Sequence, residues 1–166
     1  MCSSDLWQLT LWIRASSPRI RNALRYSMLK YMLDTNIVIY TMKNRPSSVR
    51  EAFKKHDGQM CISSVTLGEL VFGAEKSNAP EKSLADIEGL AARLEVMSFD
   101  AHAAMHFGQV RAALAKVGKP IGPYDAMIAG HARALALVLV TNNEDEFQRV
   151  PGLMHENWVA RNRVQG

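Results

Sequence analysis

The feature that most limits the fold of this chain is an alternation. Short apolar runs at residues 30–33, 59–62, 95–99 and 137–140 are separated by stretches with helical spacing. Runs this short suit strands covered on both faces rather than buried helices. The stretches between them repeat apolar residues every three or four positions. Val49, Ala52 and Phe53 do so in 47–55, and Leu84, Ile87, Leu90, Ala91 and Leu94 in 81–94. Asp100 reads as an N-cap, and the stripe Ala103, Phe107, Val110, Leu114 and Val117 follows it up to Gly118. Further helices are predicted over 37–42, over 65–76, and from Gly122-Pro123 to about residue 136, with Pro123 at the first helical position. Residues 153–158 complete the pattern as an edge strand. Strands alternating with helices predict an α/β fold, a three-layer α/β/α sandwich around a central, mainly parallel sheet. The domain is expected over residues 28–160, with 161–166 as a tail.

Composition excludes several classes. The longest apolar run, 134–140, falls far short of the ~20 residues a membrane-spanning helix needs. Cys2 and Cys61 are too few for a disulfide framework, which makes a reducing compartment the default. The formal charge of +4 hints at a polyanionic partner. Yet Arg14, Arg19, Arg21 and Arg25 against Asp5 place most of that excess in residues 1–27, and the rest of the chain is near neutral. This Arg-rich, Ser-rich segment has no sustained amphipathic period. It fits an organellar transit peptide or a leader foreign to the domain. The string Cys2-Ser3-Ser4-Asp5-Leu6 resembles one frame of a sequencing adapter, and Met28 would make a natural start. Residues 1–27 are therefore expected to be a non-native or disordered extension.

In a parallel sheet, ligands bind beyond the C-terminal ends of the strands. Asp34 ends the first strand, Glu69 lies in the helix after the second, Asp125 opens the helix before the fourth, and Asn143 follows that strand. Each has an ordinary explanation. Asp34 could cap a helix, and Thr66-Leu67-Gly68-Glu69 fits a capping box. Glu69, however, is the only charge between Ser63 and Ala74. Asp125 stands three and four residues before Ile128 and Ala129, on the inward face of its helix. A helix dipole tolerates an acid in the first turn but does not explain an inward one. Buried carboxylates cost several kcal/mol unless protonated or paired. Three converging carboxylates need a cation between them, and hard divalent ions such as Mg²⁺ prefer oxygen ligands. No Gly-rich Lys-Ser/Thr loop is present for nucleotide-phosphate chemistry. Metal-dependent cleavage of a phosphodiester is the chemistry these residues suit.

Met32-Leu33-Asp34-Thr35-Asn36, Thr66-Leu67-Gly68-Glu69-Leu70, Pro123-Tyr124-Asp125-Ala126-Met127-Ile128-Ala129 and Leu139-Val140-Thr141-Asn142-Asn143 with Phe147 resemble the motifs of PIN-domain ribonucleases. Among these the chain is similar to the VapC toxins of VapBC toxin–antitoxin systems of the enterobacterial type. The resemblance implies that Asp34, Glu69 and Asp125 bind Mg²⁺ or Mn²⁺. It places Asn143 where many PIN domains carry a fourth acid, beside Glu144, Asp145 and Glu146, and makes Asn36 and Thr141 supporting residues. It also implies a bacterial cytoplasmic endoribonuclease acting on tRNA, notably the initiator anticodon region, which forms a homodimer and a hetero-oligomer with a VapB-type antitoxin. Helices 37–42 and 65–74 are candidates for the antitoxin groove. A catalytically weak relative that only binds RNA or a partner is the alternative, and a DNA-directed repair nuclease is a third.

Other features have weaker meanings. Lys43, Arg45, Arg50, Lys54 and Lys55 could contact phosphates or form a solvated face. His102 and His106 have the spacing of zinc ligands without an evident third. Cys61 reads as core packing and Trp158 as an edge plug.

Overall fold

The computed structural model describes residues 25–43 and 46–159. Of the expected extension at 1–27, residues 1–24 lie outside the described residues, as do Arg45 and the expected tail at 161–166; residues 25–27 are helical, and Arg25 pairs with Glu95. β1 (Tyr31–Leu33), β2 (Met60–Ser63), β3 (Glu95–Met97), β4 (Val138–Val140) and β5 (His155–Glu156) form one sheet in the order β3-β2-β1-β4-β5, with every pair parallel. The connections are α1 (Thr35–Met42) and α2 (Ser47–Lys55) after β1, α3 (Ser64–Glu75) and α4 (Pro80–Ala91) after β2, α5 (Ala101–Lys116) and α6 (Pro123–Ala134) after β3, and α7 (Glu144–Phe147) after β4. The three-layer α/β/α sandwich expected from the alternation is what forms.

Successive side chains in a strand point to opposite faces. Met32, Cys61 and Leu139 therefore join Val110, Leu114, Ile128 and Ala129 of α5 and α6 on one side of the sheet. Leu33, Ile62 and Val140 join Ile37, Val38, Leu70 and Ile87 of α1, α3 and α4 on the other. A strand covered on both faces must be apolar at every position, which is why the strands read as unbroken runs. Burial pushes the Cys61 thiol up to about 12, with Glu95 adding to it, so it packs as a neutral group. Trp158 closes the edge over Tyr31 and His56, with ring centroids 5.2 and 5.3 Å away.

Two strands end sooner than their runs suggested. β3 stops at Met97, and the Phe99 N–H donates to Ser64 Oγ at 3.0 Å instead of continuing the ladder. The edge strand shrinks from 153–158 to two residues. α6 ends at Ala134, not 136. Leu137 N–H donates to the Ala132 carbonyl and Ala136 N–H to that of Arg133, with Ala136 at φ 54°. This double bond pattern closes the helix and turns the chain directly into β4. Among the described residues no helix is long and apolar enough to cross a membrane.

α5 and α6 touch backbone to side. A Cβ on Gly130 would lie 2.6 Å from Phe107 N and 2.7 Å from Phe107 Cα. These are backbone atoms and cannot rotate aside, so the two helices would have to separate. Gly130→Ala is expected to cost about 2 kcal/mol or more despite alanine's better helix propensity. A urea unfolding midpoint equal to that of the parent would show that the helices do not meet this closely.

Candidate active site

The chain order places a switch point between β1 and β4. From β1 the chain moves outward through β2 to β3, then returns to the other side of β1 as β4. The cleft opens where the two directions diverge. Asp34 and Thr141 stand there, each directly after its strand. The Asp34 N–H donates to the Val140 carbonyl at 2.9 Å, and Thr141 Oγ1 donates to Asp34 Oδ2 at 2.9 Å. Asp34 also caps α1, with Oδ1 accepting the Thr35 N–H at 2.7 Å. The capping explanation and the site explanation are thus both true of one residue. Asp34 is 3% exposed. Burial raises its pKa above the usual carboxylate value. The bonds from Thr141 and Thr35 oppose that rise, and the charges of Glu69 and Glu146 add to it.

Glu69 is not part of a capping box. α3 begins at Ser64 and is capped by Ser63, whose Oγ accepts the Val65 N–H at 3.1 Å. Thr66 lies inside the first turn, fully buried. Glu69 is therefore a mid-helix residue, and its Oε2 accepts the Thr35 hydroxyl at 2.5 Å. Thr35, and not the neighbouring Asn36, makes this bond, and Asn36 is exposed. Adjacent helical residues lie about 100° apart, so only one of the two can face Glu69.

Asp125 is the third position of α6 and half-buried. Its Oδ2 would lie 3.1 Å from a Cβ on Gly122, so the bare glycine leaves the room its carboxylate uses. Its pKa is pushed up to about 7. Burial is the largest cause, followed by the charge of Asp34, a hydrogen bond with Glu146, and the charges of Glu146 and Glu69. Glu146, on α7, which the motifs mark only as an acidic neighbour of Asn143, belongs to the cluster. It interacts with both Asp34 and Asp125, and its Oε2 is buried without a hydrogen-bond donor. Asn143 enters differently: its backbone N–H donates to Thr141 Oγ1 at 2.9 Å, and it stands at the N-cap of α7 without a side-chain capping bond. One turn of helix carries the chain from Asn143 to Glu146, which was the available clue.

Behind the acids, α3 and α6 are tied together. His131 in the last turn of α6 is 2% exposed, and its Nδ1 lies 2.9 Å from the Oγ of Ser63, the cap of α3. Burial lowers the pKa of His131, which keeps the ring neutral. The helices bearing Glu69 and Asp125 thus share one buried polar bond across 68 residues of sequence.

Of the other candidates, Lys43 lines one cavity with Glu69, and the two histidines pair elsewhere. His106 Nδ1 accepts Arg133 Nε–H at 3.0 Å, and the ring of His102 stands 4.9 Å from that of His106. Arg50 and Lys54 line a cavity of about 320 Å³ with Met42, Phe53 and Arg93.

Four carboxylates with one orphaned oxygen and a pKa near 7 form an electrostatically uncompensated cluster. Among the described residues no three acids close tightly enough to form a ready-made cage. Mg²⁺ needs no closed all-protein cage, because it keeps several of its own waters between itself and its carboxylates. The donor set, all oxygen and net negative, fits a hard divalent cation.

Residues 31–153 match the PIN domain family. The chain belongs to that family. This PIN-domain chain is 61% identical over 131 residues to the tRNA(fMet)-specific endonuclease VapC of Shigella flexneri, covering 79% of this chain and 99% of the relative. It is 58% identical over 131 residues to the tRNA(fMet)-specific endonuclease VapC of Salmonella typhimurium, again covering 79% and 99%. Its fold is similar to that in the crystal structure of DNA-bound VapBC from Salmonella typhimurium, with a TM-score of 0.76 at 58% identity over 78% of this chain and 98% of the other. VapBC2 from Rickettsia felis, bound to a DNA fragment from its promoter, gives 0.74 at 37% identity over 78% and 99%. The PIN-domain chain is thus one of the VapC endonucleases.

Proposed function

We propose that this chain is a Mg²⁺- or Mn²⁺-dependent endoribonuclease that cuts tRNA, with the anticodon region of initiator tRNA as its target. It acts in the bacterial cytoplasm as a translation-inhibiting toxin. The carrying observation is the cluster of Asp34, Glu69, Asp125 and Glu146 at the switch point of a parallel sheet. The names of the relatives, tRNA(fMet)-specific endonucleases, support the substrate.

Asp34, Glu69 and Asp125 would hold the ion. Bound there, it would offset the cluster's charge, lower the pKa of a water and stabilise negative charge on the phosphate. Thr141 and Thr35 fix the Asp34 and Glu69 carboxylates, so these groups need no reorganisation when RNA arrives. Glu146, beside Asp125 and outside the three that would hold the ion, is left to take up a proton from the attacking water at its carboxylate.

A cavity of about 420 Å³ between α1, α3 and α4, lined by Ile39, Met42, Leu70, Gly73 and Ile87, supports the expected antitoxin seat. Glu69 borders it, so a basic side chain on a VapB-type segment could reach the acids. We expect a homodimer that associates with this antitoxin.

Purified protein mixed with total tRNA and Mg²⁺ should give discrete fragments, stop with EDTA, and lose the activity as Asp34→Ala. Equal fragment yield from Asp34→Ala, or yield unchanged by EDTA, would refute the assignment.

A further inference from the structure

The buried bond between Ser63, the cap of α3, and His131, in the last turn of α6, stands at one end of both helices. Glu69 lies six residues past it on α3, and Asp125 six residues before it on α6. At 1.5 Å per residue, each acid is about 9 Å along its helix from the shared bond. Between α3 and the start of α6, on the acid side, is a cavity of about 740 Å³ with Thr35, Glu69 and Tyr124 among its walls. We infer that His131 is a positioning residue of the nuclease: through Ser63 it sets the rotation of α6 against α3, and so the spacing at which Glu69 and Asp125 meet one metal ion. This rests on the metal-dependent reading above.

Three observations carry it. First, the pair contributes direction rather than burial. Two apolar side chains of the same shape would hold the fold about as well, because a buried hydrogen bond largely replaces bonds to water. A fully satisfied polar contact specifies one arrangement, whereas apolar surfaces can slide. Ser63 Oγ accepts the Val65 N–H at 3.1 Å and keeps a hydrogen and a lone pair, so the neutral His131 ring bonds it in either tautomer. Ser63 caps α3 with or without this partner. The histidine is the member of the pair that capping leaves unexplained.

Second, the ring is held from another direction as well. Phe99, between β3 and α5, meets His131 edge-on with centroids 5.5 Å apart, and the Phe99 N–H donates to Ser64 Oγ beside the cap. Asp100 is the charged group that acts on the ring. One residue before His131, Gly130 lets α6 approach the α5 backbone at Phe107. Residue 130 thus fixes the distance of α6 from α5, and residue 131 its rotation toward α3.

Third, the metal tolerates little misplacement. Mg²⁺ demands near-octahedral geometry with oxygens at about 2.0–2.1 Å. Thr35 orients the Glu69 carboxylate from α1, and Thr141 orients that of Asp34 from the end of β4. Neither bond reaches α6, whose Asp125 moves with its helix.

The test uses the full chain. His131→Phe keeps a ring that can pack on Phe99 and removes the bond. His131→Asn places an amide donor and acceptor near the position of Nδ1 and leaves a gap where the rest of the ring stood. Mn²⁺ alone is titrated calorimetrically, cleavage of initiator tRNA is followed with Mg²⁺ well below every Tm, and unfolding is recorded in EDTA. His131→Phe should bind Mn²⁺ roughly tenfold more weakly and lose roughly tenfold in kcat with KM unchanged, the lower end of what outer-shell partners of a metal cost. His131→Asn should recover both to within about threefold of the parent although its cavity makes it melt lower than His131→Phe. A purely structural role gives the opposite order, with activity following stability. Ser63→Ala, which removes the other partner, should match His131→Phe, and the double variant should lose no more than either. Parent-like Mn²⁺ affinity and kcat in His131→Phe overturns the positioning role, as does His131→Asn performing no better than His131→Phe, or losses that add in the double variant. A parent that binds no Mn²⁺ and cuts no RNA sinks the nuclease reading itself.

Discussion

Replacing Asp125 with Asn should abolish RNA cleavage and, in metal-free buffer, make the protein harder to unfold. Both effects have one cause. Asp125 is held among Asp34, Glu69 and Glu146, which lifts its pKa from 3.8 to about 7. The folded state therefore prefers the protonated form and is penalised when the group ionises. The contribution of Asp125 to the stability of the metal-free protein is fully present below the unfolded value, near pH 4, and is lost as pH rises to about 7. The full shift would be worth about 4 kcal/mol. Because the side chain is only half-buried, solvent screening reduces this to about 1–2 kcal/mol. Asparagine keeps the shape and removes the charge, so Tm at pH 8 in EDTA should rise by roughly 3–6 °C. Mg²⁺ should raise the Tm of the parent and leave that of the variant nearly unchanged. Cleavage should fall by at least about a hundredfold, the upper end of what outer-shell partners of a metal cost. A variant that melts lower than the parent in EDTA at pH 8 would show that the acids are not in mutual repulsion.

Glu146→Gln should cost roughly 10- to 100-fold in cleavage, while Asn143→Ala stays within about threefold of the parent. The two residues occupy one helical turn, and the motif favoured Asn143. The fold favours Glu146, whose carboxyl bonds Asp125 and whose Oε2 has no donor. Gln at 146 removes the charge that helps attract a cation and the group that can share a proton with Asp125. Asn143 contributes a backbone N–H to Thr141, which alanine retains. Initial rates of the two variants with Mg²⁺ decide the point, and a reversed order of effects would return the role to Asn143.

The contrast shows where a linear reading stops. The sheet was legible because strands buried on both faces leave unbroken apolar runs, and the helices because one buried face imposes a 3.6-residue period. Asp34, Glu69 and Asp125 stood out because acids interrupted those patterns. Thr35, Glu146 and Gly122 interrupted nothing. Thr35 meets Glu69 across 34 residues, and Thr141 meets Asp34 across 107. Contacts of that range depend on how helices rotate when packed. A rotation of one residue decided between Thr35 and Asn36, and a helix start three residues earlier than the capping box implied decided the setting of Glu69. The bond between His131 and Ser63 was hidden for the same reason.

Glu69 stands in the walls of two cavities, the acid-side one under α6 and the apolar one between α1, α3 and α4. That shared wall restricts how the chain can diverge. A substitution at Glu69 that loosened a peptide seated in the apolar cavity would also remove a carboxylate from the nuclease. Freedom to drift from one binder to another is left to Ile39, Met42 and Ile87, which line that cavity and not the acid-side one. Lineages of this fold should therefore change partners by varying those three side chains while position 69 stays fixed.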